Sequence, residues 1–200
     1  MDSGTSLDRM VFFSDAVFAI ALTLLALDLK LPTGIPPEEL DDALIAALPQ
    51  LLAYALSFLI IARTWMHHHA DFAGIVGFTV NLGRLNLALL FFIAMLPGPT
   101  SVLSEYGDDP TPWPSVLYAA NIAAVYLTMA AIWGYAKHAG LMDQDTAAHR
   151  YRRVLNARVA GAAVFLVSIP AAFTFNAWTP FLWLLLLPVS WLTRLFSTPA

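Results

Sequence analysis

Six stretches of this chain are each long and apolar enough to cross a bilayer as a helix: 10–29, 43–62, 80–96, 115–136, 154–175 and 178–195. A helix needs about 20 apolar residues for that crossing. The composition agrees. The chain is 59% hydrophobic and only 12% charged, with a mean hydropathy of +0.69. Soluble domains carry about 25% charged residues, so this chain has too little polar surface to cover itself in water. The sequence therefore predicts an all-α, polytopic membrane protein, with residues 1–200 as a single six-span domain.

The segments between the runs set its orientation. The stretch LKLPTGIPPEELDDA interrupts the pattern with prolines and acids, and Pro49 predicts a kink near the start of the second run. The segment 63–69 (RTWMHHH) ends that run with polar and aromatic side chains at interface level. The third run stops at Pro97-Gly98-Pro99, and SEYGDDPTPWP follows as a loop. KHAGLMDQDTAAHRYRR is a charged, partly helical connection; Pro170 lies near the far end of the fifth run, and Pro188 interrupts the sixth. The N-terminal segment has no small-residue cleavage site, so the first run reads as a retained span.

Six crossings put both termini on one side. Arg9, Arg63, Arg84, Lys137, Arg150, Arg152, Arg153, Arg158 and Arg194 belong to that side or to helix ends facing it, and only Lys30 lies opposite. The positive-inside rule then makes both termini cytoplasmic, in a multi-pass protein of the cell membrane. Glu38, Glu39, Asp41, Asp42, Glu105, Asp108 and Asp109 gather on the other face. They either keep exposed loops solvated or form an acidic mouth that concentrates cations.

The first run is unusual because Ser14 and Asp15 lie in its first half. An intramembrane carboxylate costs a few kcal/mol and marks a functional-site hypothesis. On a helix, Ile20, Leu24, Leu27 and Leu31 form one apolar stripe, extended by Phe13. Asp15 points about 140° away from Ile20, and Thr23 lies within about 60° of it. Stripe and carboxylate cannot share a face. The stripe alone reads as a packing seam or as a pore lining, and Asp15 as a structural group, a proton relay or a cation ligand.

Other features carry less. His67, His68 and His69 are consecutive, so they diverge around a helix, and His67 with Asp71 makes only a two-ligand site. Ala157, Ala160, Gly161 and Ala163 allow close helix approach. The run from His149 to Arg153 reads as a topology and lipid-headgroup anchor. The chain has no cysteine, which excludes disulfides and thiolate sites. No phosphate loop, serine elbow, HExxH or TVGYG sequence occurs, so neither an enzyme nor a nucleic-acid partner is indicated.

Residues Arg9 to Asp15 read R-x-x-x-F-S-D, Trp65 and His68 read W-x-x-H, and Leu85-Asn86-Leu87 reads L-N-L. With Leu96-Pro97-Gly98-Pro99-Thr100 and Glu105-Tyr106, this series resembles bacterial relatives of the endolysosomal potassium channel, the transmembrane protein 175 family. Gly98 stands where the family usually has Phe. The resemblance covers about residues 9–106 and implies a homotetramer of six-span subunits, with the first helices around a central pore. It implies a constriction at Ile20, followed by Leu24 and Leu27, with Thr23 as a polar contact. It further implies a buried network of Arg9, Phe13, Ser14, Asp15, Trp65, His68 and Asn86 bracing that helix. K⁺ and other monovalent cations would permeate with moderate selectivity, without a cofactor, a bound metal or a carbonyl filter. The alternative is a proton-coupled secondary transporter using Asp15 and His68; a non-conducting scaffold is the third reading.

Overall fold

The structure, a computed structural model, describes residues 3–27, 29, 32–107, 109–175 and 179–183. Among them the fold is helical: α1 (Ser3–Leu27), α2 (Leu40–Ala46), α3 (Leu48–Phe72), α4 (Val80–Met95), α5 (Pro97–Tyr106), α6 (Trp113–His138), α7 (Tyr151–Phe175) and the short α8 (Thr179–Leu182). Helices are the expected form for an apolar chain in lipid, because they satisfy every backbone polar group within one segment. Five stretches are long and apolar enough to cross a membrane: Gly4–Leu27, Leu48–Phe72, Val80–Tyr106, Trp113–His138 and Thr146–Phe175. Most of the sixth apolar run (178–195), along with Lys30, Asp108 and Arg194, lies outside the described residues.

Two boundaries differ from the sequence reading. The second run does not end at Arg63; α3 continues through the histidines to Phe72. Residues 63–72 contain no helix breaker, and His67, His68 and Asp71 find partners on other helices, so polarity there does not mark a helix end. Pro49, read as a kink, sits in the first turn of α3. The third run does not stop at Pro97 either. Pro97 begins α5 from the first-turn position, where its missing N–H costs no hydrogen bond. Leu96 forms a turn between α4 and α5, and the apolar stretch runs on to Tyr106. By contrast, the start of α4 is capped: Thr79 Oγ1 accepts from Leu82 N at 3.2 Å.

The core is centred on α6, whose Tyr118, Ile122, Val125 and Trp133 have no exposed surface. It packs against α7 along its length and also against α4 and α5, while α1 lies across α3 and α4. Gly161 is the small residue at the α6–α7 contact: a Cβ there would lie 2.6 Å from the Tyr126 ring. Ala157 and Ala160 are half-buried beside it, and Ala163 faces outward. Polar pins cross the layers. Asn121 Nδ2 donates to Phe92 O at 3.0 Å, and Ser57 Oγ meets Thr100 Oγ1 at 2.8 Å and the Tyr118 hydroxyl at 3.0 Å.

At the end of the bundle where α3 and α6 finish, their following loops are tied together. Val76 N donates to Leu141 O at 2.8 Å and Asp143 N to Gly74 O at 3.2 Å. Gly74 is required there, since a Cβ would meet the Thr146 side chain at 2.8 Å. Lys137, Arg150, Arg152 and Arg153 cluster at this end by chain position, whereas Glu38, Glu39, Asp41, Asp42 and Glu105 lie on segments at the other.

Candidate pore helix and its brace

The two faces of α1 are sharply different. Leu7, Ser14, Phe18, Ala21 and Leu25, at helical spacing, are buried against α3 and α4. On the opposite side Ile20 is 57%, Leu24 40% and Leu27 77% exposed in the single chain. Phe12, Phe13 and Thr23 are exposed as well. Thr23 Oγ1 donates to Ile20 O at 2.8 Å, so even the polar member of this face is satisfied within the helix.

The buried face is held by a directional chain of hydrogen bonds. Ser14 Oγ donates to Met10 O at 2.9 Å and accepts from Asn86 Nδ2 at 2.8 Å. Asn86 Oδ1 lies 2.9 Å from His68 Nε2. An amide oxygen only accepts, so His68 donates from Nε2. The chain therefore runs His68 to Asn86 to Ser14 to Met10, joining α3, α4 and α1. The His68 ring is packed by Phe18 and Phe72, with centroids at 5.5 and 4.4 Å. Its Nδ1 is buried with no partner among the described residues. One turn away, Trp65 Nε1 donates to Asp15 Oδ1 at 2.8 Å, and this pair is exposed to the outside of the chain.

Five of the seven residues of the expected network are thus in hydrogen-bonded contact: Ser14, Asp15, Trp65, His68 and Asn86. Arg9 and Phe13 are not brought into it. Both are exposed on the side of α1 away from Asn86, because their helical phase places them off the Leu7–Ser14–Phe18 stripe. Asp15 also lines a cavity of about 450 Å³ with Asp8, Val11, His69 and Phe72.

A second polar cluster was not legible in the sequence. Arg158, grouped there with the cations of the cytoplasmic side, is buried in α7. Its Nη2 donates to Asp71 Oδ2 at 2.8 Å and its Nη1 to His67 Nδ1 at 2.6 Å. The pair His67 and Asp71, weighed as two metal ligands, is instead the receptor for a guanidinium. Among the described residues no three His, Asp or Glu side chains are placed to hold one metal ion. The signal available in the sequence was an i, i+4 His/Asp pair together with an Arg inside an apolar run.

Comparison with known proteins identifies the family. A family model described as the endosomal/lysosomal potassium channel TMEM175 matches residues 9–97. Over 151 residues the chain is 38% identical to a potassium channel of Streptomyces collinus, covering 73% of this chain and 73% of that protein. Over 113 residues it is 34% identical to the endosomal/lysosomal proton channel TMEM175 of Mus musculus, covering 52% of this chain but 23% of that one. The crystal structure of a lysosomal potassium-selective channel TMEM175 homologue from Chamaesiphon minutus matches with a TM-score of 0.82 at 25% identity, covering 95% of this chain and 99% of that one. With its first-helix signature, its braced α1 and this likeness over most of its length, the chain belongs to the TMEM175 family.

Proposed function

We propose that the chain is one subunit of a potassium-permeable channel of the cell membrane, a homotetramer in which the α1 helices surround the ion path. The carrying observation is the unpartnered apolar face of α1. Ile20, Leu24 and Leu27 are exposed while the other side of the same helix is pinned by Ser14 and Phe18. A helix fixed on one side and bare on the other is suited to line a shared axis. Ile20 forms the narrowest ring, Leu24 and Leu27 form further layers, and Thr23 supplies a polar contact. Such rings gate by dewetting. They offer no ligands to replace a hydration shell, so selectivity among cations is moderate. Residues 1–200 act as one six-span domain, with both termini cytoplasmic by the distribution of cations. Asp15, Trp65, His68 and Asn86 hold the helix in place and take no part in a catalytic step.

The test is reconstitution into K⁺-loaded liposomes, with the mass of the purified oligomer measured alongside. K⁺ efflux from a tetramer supports the reading, and a strict monomer, which has no shared axis, overturns it. The name of the mouse relative motivates a second reading, proton permeation, and here Asp8, Asp15 and His69 line one cavity. Vesicles with a pH gradient and no K⁺ gradient separate the two. The proton-coupled transporter has less support, since Asp15 and His68 are both engaged in holding α1.

A further inference from the structure

We propose that Arg158 is a positioning residue: by gripping Asp71 and His67 it sets the placement of the last turns of α3, and through them of the side chains that hold α1. Within those turns α3 carries two sets of contacts. Trp65 and His68 reach Asp15 and Asn86 on one side, while His67 and Asp71 receive the Arg158 guanidinium on the other. The two sets are separated by at most six residues of continuous helix, so a shift of Asp71 carries Trp65 and His68 with it.

The grip is directional. A guanidinium only donates, so His67 accepts at Nδ1 and carries its own proton on Nε2. One planar group thus fixes two side chains one turn apart on α3, which a flexible ammonium cannot do. It also spans two layers: α7 packs along α6, whereas α3 packs on α1 and α5. Gly161, three residues beyond Arg158, lets α7 come close against Tyr126. A buried ion pair is a poor source of stability compared with apolar packing of the same volume, and its best-attested use is to fix one arrangement over others. Arg158 and Asp71 are both buried, in the part of the bundle where the α1 brace is attached.

The claim about placement stands on this geometry, and its consequence for conduction rests on the pore reading above. The readout is the indole N–H resonance of Trp65 in ¹⁵N-tryptophan-labelled protein, assigned by its loss in Trp65→Phe. Arg158→Gln and Asp71→Asn should each move that resonance toward the position of an unbonded indole and lower the K⁺ current. Arg158→Lys, which keeps the ion pair but not the fork, should give an intermediate shift and recover part of the current. Should Arg158→Gln fail to fold, Asp71→Asn and Arg158→Lys carry the test by themselves. A Trp65 resonance unmoved in the folded variants, whatever their melting temperatures, overturns the proposal. If the wild-type protein passes no K⁺ and the resonance still moves, the positioning role stands and the pore reading falls.

Discussion

Helices α1 and α6 are both apolar along their length, yet they occupy opposite situations. The most apolar 18-residue window of α1 has a hydropathy of 2.3 and is 22% buried within the chain, whereas that of α6 is 1.7 and 61% buried. Hydropathy measures aversion to water and does not say which neighbour replaces it. The interior helix is the less apolar one because protein neighbours satisfy its polar side chains: Asn121 bonds the α4 backbone and Tyr118 meets Ser57. Among the described residues the exposed face of α1 from Phe13 to Leu27 has no such neighbours, and over that stretch it carries apolar groups and a self-satisfied threonine. One helix holds the subunit together, and the other is held by it.

Substitutions on the two helices should therefore separate stability from transport. The largest stability loss is expected for Trp133→Ala at the centre of α6, at about 3–5 kcal/mol; thermal unfolding in lipid or detergent measures it. Ile20→Ala on the open face should stay within about 0.5 kcal/mol in the same assay, and an equal loss at both sites would erase the contrast. Next comes Gly161→Val. Its Cβ would lie 2.6 Å from the buried Tyr126 ring, and overpacking of that kind costs about 1–3 kcal/mol.

A similar loss, about 1–3 kcal/mol, is expected for Asn86→Ala, which leaves the Ser14 hydroxyl and His68 Nε2 without their partner. This substitution sharpens the comparison further, because it sits where α1 is attached. It should reduce K⁺ current out of proportion to the change in melting temperature, and a proportional change would make Asn86 an ordinary core residue.

The smallest effect belongs to the loop beyond α6. The Thr146 hydroxyl and backbone N–H hold the half-buried Asp143 carboxyl below the usual carboxylate range. A carboxyl with a lowered folded value stabilises the turn at pH above its unfolded value and loses that contribution as pH falls through the folded one. Protection of the Thr146 amide from hydrogen exchange should thus be constant from neutral pH down to the carboxylate range and fall below it. Asp143→Asn should remove that dependence while leaving α1 and α6 unaffected.

The sequence made the membrane class and the five described crossings legible, because long continuous apolar runs cross lipid as helices, which satisfy their own backbone groups. It also singled out α1, through Ser14, Asp15 and the Ile20–Leu24–Leu27 spacing. Helix ends were less legible. A proline suggests a stop or a kink, yet Pro49 and Pro97 open helices, and His67 and His68 lie inside α3 with partners that come from distant segments. The same limitation hid the role of Arg158. Its charge was counted toward topology, and nothing local shows that Asp71 and His67, on a helix 87 and 91 residues away in sequence, complete it. Arg9 and Phe13 were expected in the brace by motif, but helical phase turns them outward.

Single-channel recording under bi-ionic K⁺/Na⁺ conditions, comparing wild type with Ile20→Asn, tests the central claim that the open face of α1 lines the ion path. The expected result is a larger unitary conductance and a weaker preference for K⁺ in the variant, with the tetramer intact. Unchanged conductance and reversal potential in Ile20→Asn, and likewise in polar variants of Leu24 and Leu27, would contradict it.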